Sequence, residues 1–247
     1  MSLCLGYEAI AAGREEMMLC GGADEFHLLT SATFDRLGAA SHTEDPDYAS
    51  RPFDADRTGI VCGEGAGILL LESLESAQAR NAPILAEIRG AAMASSPGSI
   101  AQPDAAAIAD CMRRTLDDAG VQPQDVAYVN AHATATEFGD IAEGQAIESV
   151  FGSATPVSSF KGHLGHTMAA SGALESILCI KMLQNSTFIP TRGLQKPDVR
   201  CGNLHHFYRH LHKPSGLILK NSFALGGCNC TIVFDRLCEN SMNDGKE

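Results

Sequence analysis

The chain has 247 residues, with apolar side chains at 45% of positions and a net charge of −12, enough apolar content for one large α/β domain or two small ones. The acidic balance argues against nucleic-acid binding, which draws its affinity from Lys and Arg set against phosphates. No apolar run is long enough to span a bilayer and no basic-then-apolar signal opens the chain, so a cytoplasmic protein with no membrane partner is expected.

Residues 5–13 read as the end of a helix stopped by Gly13. A short buried strand over 16–20 then runs into a tight turn at Gly21-Gly22-Ala23-Asp24. Residues 25–58, polar and carrying Pro46 and Pro52, read as a helix followed by a long loop. The run 60–71 is apolar enough for a central strand, yet Gly63, Gly65 and Gly67 interrupt it. Glycine at alternate positions strips one face of side chains and lets another backbone or a ligand come close. The glycine spacing fits neither a dinucleotide fingerprint nor a P-loop.

A helix starts over 74–79, a strand over 84–92, and an amphipathic helix over 103–119 that ends at Gly120. Residues 126–132 form a strand, 139–151 a helix, 156–160 a short strand, and 169–184 an apolar helix with small residues near its start. Two final strands, 217–223 and 230–234, flank the turn from Ala224 to Asn229, and 239–247 is polar and expected to fray. Strands alternating with helices imply a parallel or mixed sheet covered on both faces.

Nine cysteines, among them Cys4, Cys228, Cys230 and Cys238, show no disulfide or zinc spacing and read as reduced and mostly buried. His205, His206, His210 and His212 lie close together, but no cysteine or carboxylate set completes a metal site, so neither metal nor cofactor is expected.

Three polar turns end apolar strands: Asn130-Ala-His132-Ala-Thr134, Lys161 to His166, and Asn221 to Asn229. Ligands of α/β proteins bind beyond strand carboxyl ends, so these turns are expected to converge on one pocket. Two neutral imidazoles there would donate hydrogen bonds to a developing oxyanion or enolate, beside one fixed cation.

At these turns the sequence becomes specific. The block from Arg51-Pro-Phe-Asp54 through Arg57 to Gly63-Glu64-Gly65-Ala66-Gly67 resembles the R-P-F-D-x-x-R-x-G-F-x-x-G-E-G-A-G block of β-ketoacyl synthases. Tyr128 to Thr136, followed by Gly139-Asp140-Ile-Ala-Glu143, resembles Y-x-x-A-H-G-T-x-T and G-D-x-x-E. Ser158 to Ala173 resembles S-x-K-x-x-x-G-H-x-x-x-A-x-G-A, and Asn221 to Asn229 resembles N-S-F-G-F-G-G-x-N. The resemblance covers nearly the whole chain.

It implies the thiolase-like α/β fold, layered α-β-α-β-α, in which two related halves each hold a sheet between helices. The expected division is residues 1–80 as the end of the N-terminal half and 81–247 as a complete C-terminal half. It also implies decarboxylative Claisen condensation of an acyl thioester with malonyl-acyl carrier protein, in fatty acid or polyketide synthesis. The implied partners are acyl carrier protein and a second subunit, identical or related. His132 and His166 correspond to the family's two active-site histidines, Lys161 to its lysine, and Glu143 to that lysine's partner. Asp140, Thr134 and Thr136 are supporting residues, and Asp140 and Glu143 share one helix face. Phe223, Leu225 and Gly226 correspond to the acyl gate and oxyanion turn.

Departures from the pattern fall at Ala133, where glycine is usual and left-handed backbone angles become costly, at Glu137 in place of proline, and at Ala224-Leu225 in place of Gly-Phe. Leu225 keeps a backbone donor but reshapes the gate, which implies an acyl-chain specificity unlike that of housekeeping enzymes.

Aligning the family's G-G-A-E turn on Gly21 to Asp24 places its nucleophilic cysteine just ahead of Met1. Cys4 falls inside the helix rather than at the N-terminus that activates a thiol. The chain is therefore expected to be roughly the C-terminal three-fifths of a synthase, without the nucleophile and inactive alone in condensation. The alternatives are a non-catalytic partner like the chain-length factors, or one half of a split synthase. Retained His132, Lys161 and His166 argue against the former. A thiolase proper is disfavoured because Cys228-Asn-Cys230 does not fit the cysteine-bearing turn of that group.

Overall fold

The computed structural model describes residues 1–96, 103–213 and 216–237. Its centre is a five-stranded mixed sheet in the order β3 (Glu87–Ser95), β9 (Cys228–Asp235), β8 (Leu217–Ala224), β4 (Val126–Asn130), β5 (Val157–Ser158). β4 runs parallel to β5 and β8, while β9 pairs antiparallel with both β8 and β3. Alternation along β8 explains how the sheet is covered. Leu217 and Leu219 join Val129 and Val233 under α4 (Ala105–Ala119) and α5 (Glu137–Phe151), packing on Ile108, Met112 and Ile147. Ile218, Ile232 and Phe234 face the other way, onto α1 (Ser2–Ala11) and onto Ile180 and Leu183 of α7 (Ser171–Asn185). Strands buried on both faces carry unbroken apolar runs, which is why these read clearly as strands.

Helix α4 shows how local chemistry sets the boundaries. Asp104 caps the N-terminus by accepting from the amides of Ala106 and Ala107, and Gly120 takes the left-handed angle that closes it. The mature element therefore matches its expected span closely.

Beside this layer lies an antiparallel ribbon of β1 (Met17–Asp24) and β2 (Gly65–Glu72). Two expectations are corrected here. Gly21 to Asp24 is strand rather than tight turn, pairing with Gly65 to Ile68. Only Gly65 onward is strand in the run 60–71, because residues 61–63 bond to the His166 loop instead: His166 N–H donates to Val61 O at 2.7 Å, and Gly63 N–H to His166 O at 2.9 Å. The ribbon is also less buried than expected, with Leu19 75% and Ile68 60% exposed.

The glycines of this ribbon are explained by what they touch. A Cβ on Gly22 would lie 2.0 Å from Ala169 O, and one on Gly63 would lie 2.7 Å from Leu164 O. A Cβ on Gly67 would meet the backbone of α7 at Leu174 N, 3.1 Å away. The bare face is a seat for the chain between Leu164 and α7, and so it positions His166. The remaining elements are α2 (Leu28–Arg36), α3 (Leu74–Ala79), α6 (Lys161–Leu164) and the short pair β6 (Thr187–Phe188) and β7 (Leu211–His212). Helix α7 begins at Ser171 rather than at 169, because Met168 adopts a positive φ and the chain makes a 3-10 turn over Met168–Ala170 first. Among the described residues no helix is long and apolar enough to cross a membrane. Cys238 and residues 239–247 lie outside the described residues.

Candidate active site

Three strand-end turns meet. His132 lies two residues past the end of β4, and its ring stands edge-on to His166, with centroids 5.2 Å apart, and to Phe223 of β8 at 5.7 Å. These side chains face a cavity of about 1180 Å³, whose wall also includes Thr134, Thr136, Glu143 and Leu225. Gly226, expected at the oxyanion turn, is left-handed at φ 86° and does not line the cavity, whereas Gly227 does.

The two imidazoles are held differently. Met168 N–H donates to His166 Nδ1 at 3.2 Å, which makes Nδ1 an acceptor and leaves the proton on Nε2. His132 is fixed through its backbone: its N–H donates to Glu143 Oε1 at 2.8 Å and the Ala133 N–H to Oε2 at 2.6 Å. Asn221 Nδ2 donates to Oε1 at 3.0 Å, so Glu143 ties the end of β4 to β8. His132 Nδ1 is buried without a partner among the described residues. Burial first, and then the positive charge of Lys161, pushes both imidazoles toward the neutral form, His132 well below its ordinary value and His166 down to about 3.

The expected pairing of Lys161 with Glu143 is corrected. Lys161 Nζ lies 2.5 Å from Glu175 Oε1, on α7, and Glu143 is occupied by the three neutral donors above. The reason is geometric: Lys161 opens α6 beneath the start of α7, where Glu175 points inward, while Glu143 projects from α5 toward the end of β4. Lys161 and Glu175 do not line the cavity; they sit behind the histidines. Burial opposes ionisation of Glu175, but Lys161 and Lys220 outweigh it and hold the carboxyl down at about 2.

Asp140 shares the buried face of α5 with Glu143 and accepts from Phe53 N–H at 2.7 Å and Ala135 N–H at 3.1 Å, with Arg57 Nε 3.6 Å away. Burial raises its carboxyl to about 7 despite those donors. Arg57 also donates to the carbonyls of Thr136 and Glu137, and the Thr134 and Thr136 hydroxyls are 3.0 Å apart, so this group fixes the loop that carries His132. The left-handed residue in that loop is Ala135, at φ 65°, and not Ala133.

Cys4 lies on α1, where it is buried and unactivated. A hydrogen bond with Cys230, and then burial, push its thiol far up. His205 is bonded to Ala154 O, His206 tilts on Phe53, and His212 contacts Thr187, so these histidines of the 205–212 stretch serve separate local contacts.

Three residues of the site escaped the sequence reading: Glu175, Lys220 and Ser222. Lys220 Nζ lies 3.0 Å from Glu175 Oε2 and donates to Ser222 Oγ, and both Lys220 and Ser222 line the cavity. A charged residue inside the apolar run of 217–223 was the signal available for Lys220.

Residues 2–77 match the model of the β-ketoacyl synthase N-terminal domain, and residues 85–195 match that of the C-terminal domain. The 3-oxoacyl-(acyl-carrier-protein) synthase 2 of Coxiella burnetii is 36% identical over 235 residues, covering 92% of this chain and 57% of the relative. The crystal structure of a β-ketoacyl synthase from Burkholderia phymatum superposes with a TM-score of 0.94 at 40% identity, over 96% of this chain and 59% of that one. A ketosynthase of a type II polyketide synthase, solved in complex with its acyl-carrier protein and bound to the hexaketide, superposes at 0.90 with 33% identity, over 96% and 60%. The chain thus spans less than two thirds of the length of these relatives.

Proposed function

The chain belongs to the β-ketoacyl synthase family, with its thiolase-like fold, and on that premise we propose that it forms the malonyl-processing side of a 3-oxoacyl-acyl-carrier-protein synthase site. The observation that carries the reading is the pair of half-buried histidines set edge to face in one cavity, both pushed toward the neutral form. When a malonyl thioester loses CO2, the electron pair of the broken C–C bond moves into the thioester and charges its oxygen. Neutral N–H donors from His132 and His166 stabilise that enolate oxygen more than the uncharged carbonyl that precedes it. The enolate carbon then attacks an acyl thioester, forming the new C–C bond and releasing the acyl group's thiolate.

The acyl-bearing thiol is assigned to a segment or subunit outside this sequence, since Cys4 is the wrong kind of thiol for the task. Lys161, paired with Glu175, acts electrostatically behind the histidines. Phe223 and Leu225 form the acyl gate, and leucine in place of an aromatic ring gives the assembled enzyme an acyl-chain preference of its own. Acyl carrier protein is the proposed carrier of both substrates, as it is the bound partner of the polyketide ketosynthase above. Residues 1–80 are assigned to the N-terminal half and 81–247 to the C-terminal half, paired with a second subunit in the cytoplasm, where the described free thiols stay reduced. A purely non-catalytic partner has no use for imidazoles pushed toward the neutral form by their burial and by a nearby lysine.

Release of CO2 from malonyl-acyl carrier protein by the chain alone tests this reading. The expected result is a slow release that falls about 10²- to 10³-fold in His132→Ala and in His166→Ala, in line with the loss of one oxyanion donor. Release that is unchanged in both variants overturns it.

A further inference from the structure

Lys220 and Ser222 project from the same face of β8, two residues apart, and both reach the cavity that holds His132 and His166. Glu175 fixes the Lys220 ammonium from behind, and the ammonium donates to Ser222 Oγ. An ammonium group has no lone pair, so in this contact the serine oxygen is the acceptor. The serine proton is left for another acceptor, and none is present among the described residues. Gly172 faces the hydroxyl, and even a Cβ there would sit 3.5 Å from Ser222 Oγ, so the space beside it is uncrowded. The charge count points the same way: among the described residues, Glu175 is the one carboxylate in contact with two buried ammonium groups.

We propose that Ser222, oriented by Lys220, is a third hydrogen-bond donor of this cavity and that it binds a carboxylate oxygen of a malonyl-type substrate. The donor that touches the ligand is a neutral hydroxyl, with the cation one atom further back. Such a contact recognises the carboxylate without clamping the charge that must leave it, so its effect belongs to binding rather than to the chemical step. Ser222 is the binding residue and Lys220 the positioning residue. The identity of the ligand rests on the ketosynthase reading; the forced direction of the serine proton does not.

The test uses the whole chain and two stable probes: a malonyl amide of N-acetylethylenediamine, and the acetyl amide that lacks the carboxylate. Calorimetric titration is expected to show preference for the malonyl probe. Ser222→Ala and Lys220→Met should weaken it about tenfold to a hundredfold, the range for a hydrogen bond in a charged network, while leaving the acetyl probe unaffected. Ser222→Thr and Lys220→Arg should retain the preference. In CO2 release from the malonyl thioester, Ser222→Ala should raise KM and leave kcat near that of the parent. Equal binding of both probes to the parent chain, or a Ser222→Ala chain of unchanged melting temperature with undiminished malonyl preference, overturns the proposal. CO2 release that depends on the histidines but not on Ser222 would sink this inference and leave the ketosynthase reading standing. Serine-dependent binding without any CO2 release would do the reverse.

Discussion

Replacing Glu175 by glutamine removes one negative charge and keeps the shape of the side chain. Glu175 is 2% exposed, Lys161 1% and Lys220 2%, so the three charges share one buried site, with contacts of 2.5 and 3.0 Å. Removing one partner of a buried ion pair costs about 3–5 kcal/mol, because the remaining charge is stranded. Glu175→Gln strands two ammonium groups and belongs at or above the top of that range. In a domain of this size each kcal/mol shifts the melting temperature by roughly 2–4 °C, so a fall of about 10–20 °C is expected. Lys220→Met, by contrast, leaves a balanced Lys161–Glu175 pair and should cost far less. Calorimetric melts and urea titrations at pH 7 of both single variants and the double variant read this directly. The double variant should recover part of the loss, since only one ammonium is then unpaired. The deficit of Glu175→Gln should also shrink as pH rises. Burial lowers the pKa of Lys161, so the unfolded chain binds more protons there and alkaline pH favours the fold. A Glu175→Gln chain within about 1 kcal/mol of the parent, or Lys220→Met proving the more harmful change, would refute the shared-charge account.

Other consequences are equally open to measurement. The folded pKa of His166 is depressed from 6.5 to about 3, so the unfolded state binds the extra proton and stability is lost as pH falls from about 6.5 toward 3. His166→Gln should flatten that acid limb in urea titrations between pH 7 and 4. Glu143→Gln places an amide N–H2 among the amides of His132, Ala133 and Asn221, which are all donors; a loss of about 1–3 kcal/mol in urea unfolding is expected, with a matching fall in CO2 release. Gly22→Ala drives a methyl group into Ala169 O and displaces the chain between His166 and α7, so it should lower both melting temperature and CO2 release, whereas Gly13→Ala, with open space at its Cβ but a left-handed φ of 65°, should lower the melting temperature and leave release unchanged.

The parts of the site legible in the sequence were those carried by one stretch of chain. His132 and His166 each end an apolar run, and Gly63, Gly65 and Gly67 announced a backbone contact that proved to be the Leu164 to α7 segment. Helix α4 was legible because its apolar periodicity and its stop, Gly120, lie within one stretch of chain. What escaped depends on pairing across elements. Glu143 stands in the motif nearest His132, and nothing in the spacing reveals that its oxygens face backbone amides while Glu175, inside an apolar helix, meets the lysine. Gly21 to Asp24 has turn composition, but its partner strand and the Ala169 carbonyl above it make it sheet. Strand propensity is a statement about neighbours, and those neighbours are distant in sequence.

The most direct test of the central claim, that His132 and His166 stand in one cavity as neutral donors, is the nitrogen NMR spectrum of the labelled imidazoles from pH 8 to 4.5. The account predicts that both rings keep neutral shifts across the range, with His166 protonated on Nε2 alone. Two rings that titrate near the ordinary histidine value, or a His166 protonated on Nδ1, would contradict it.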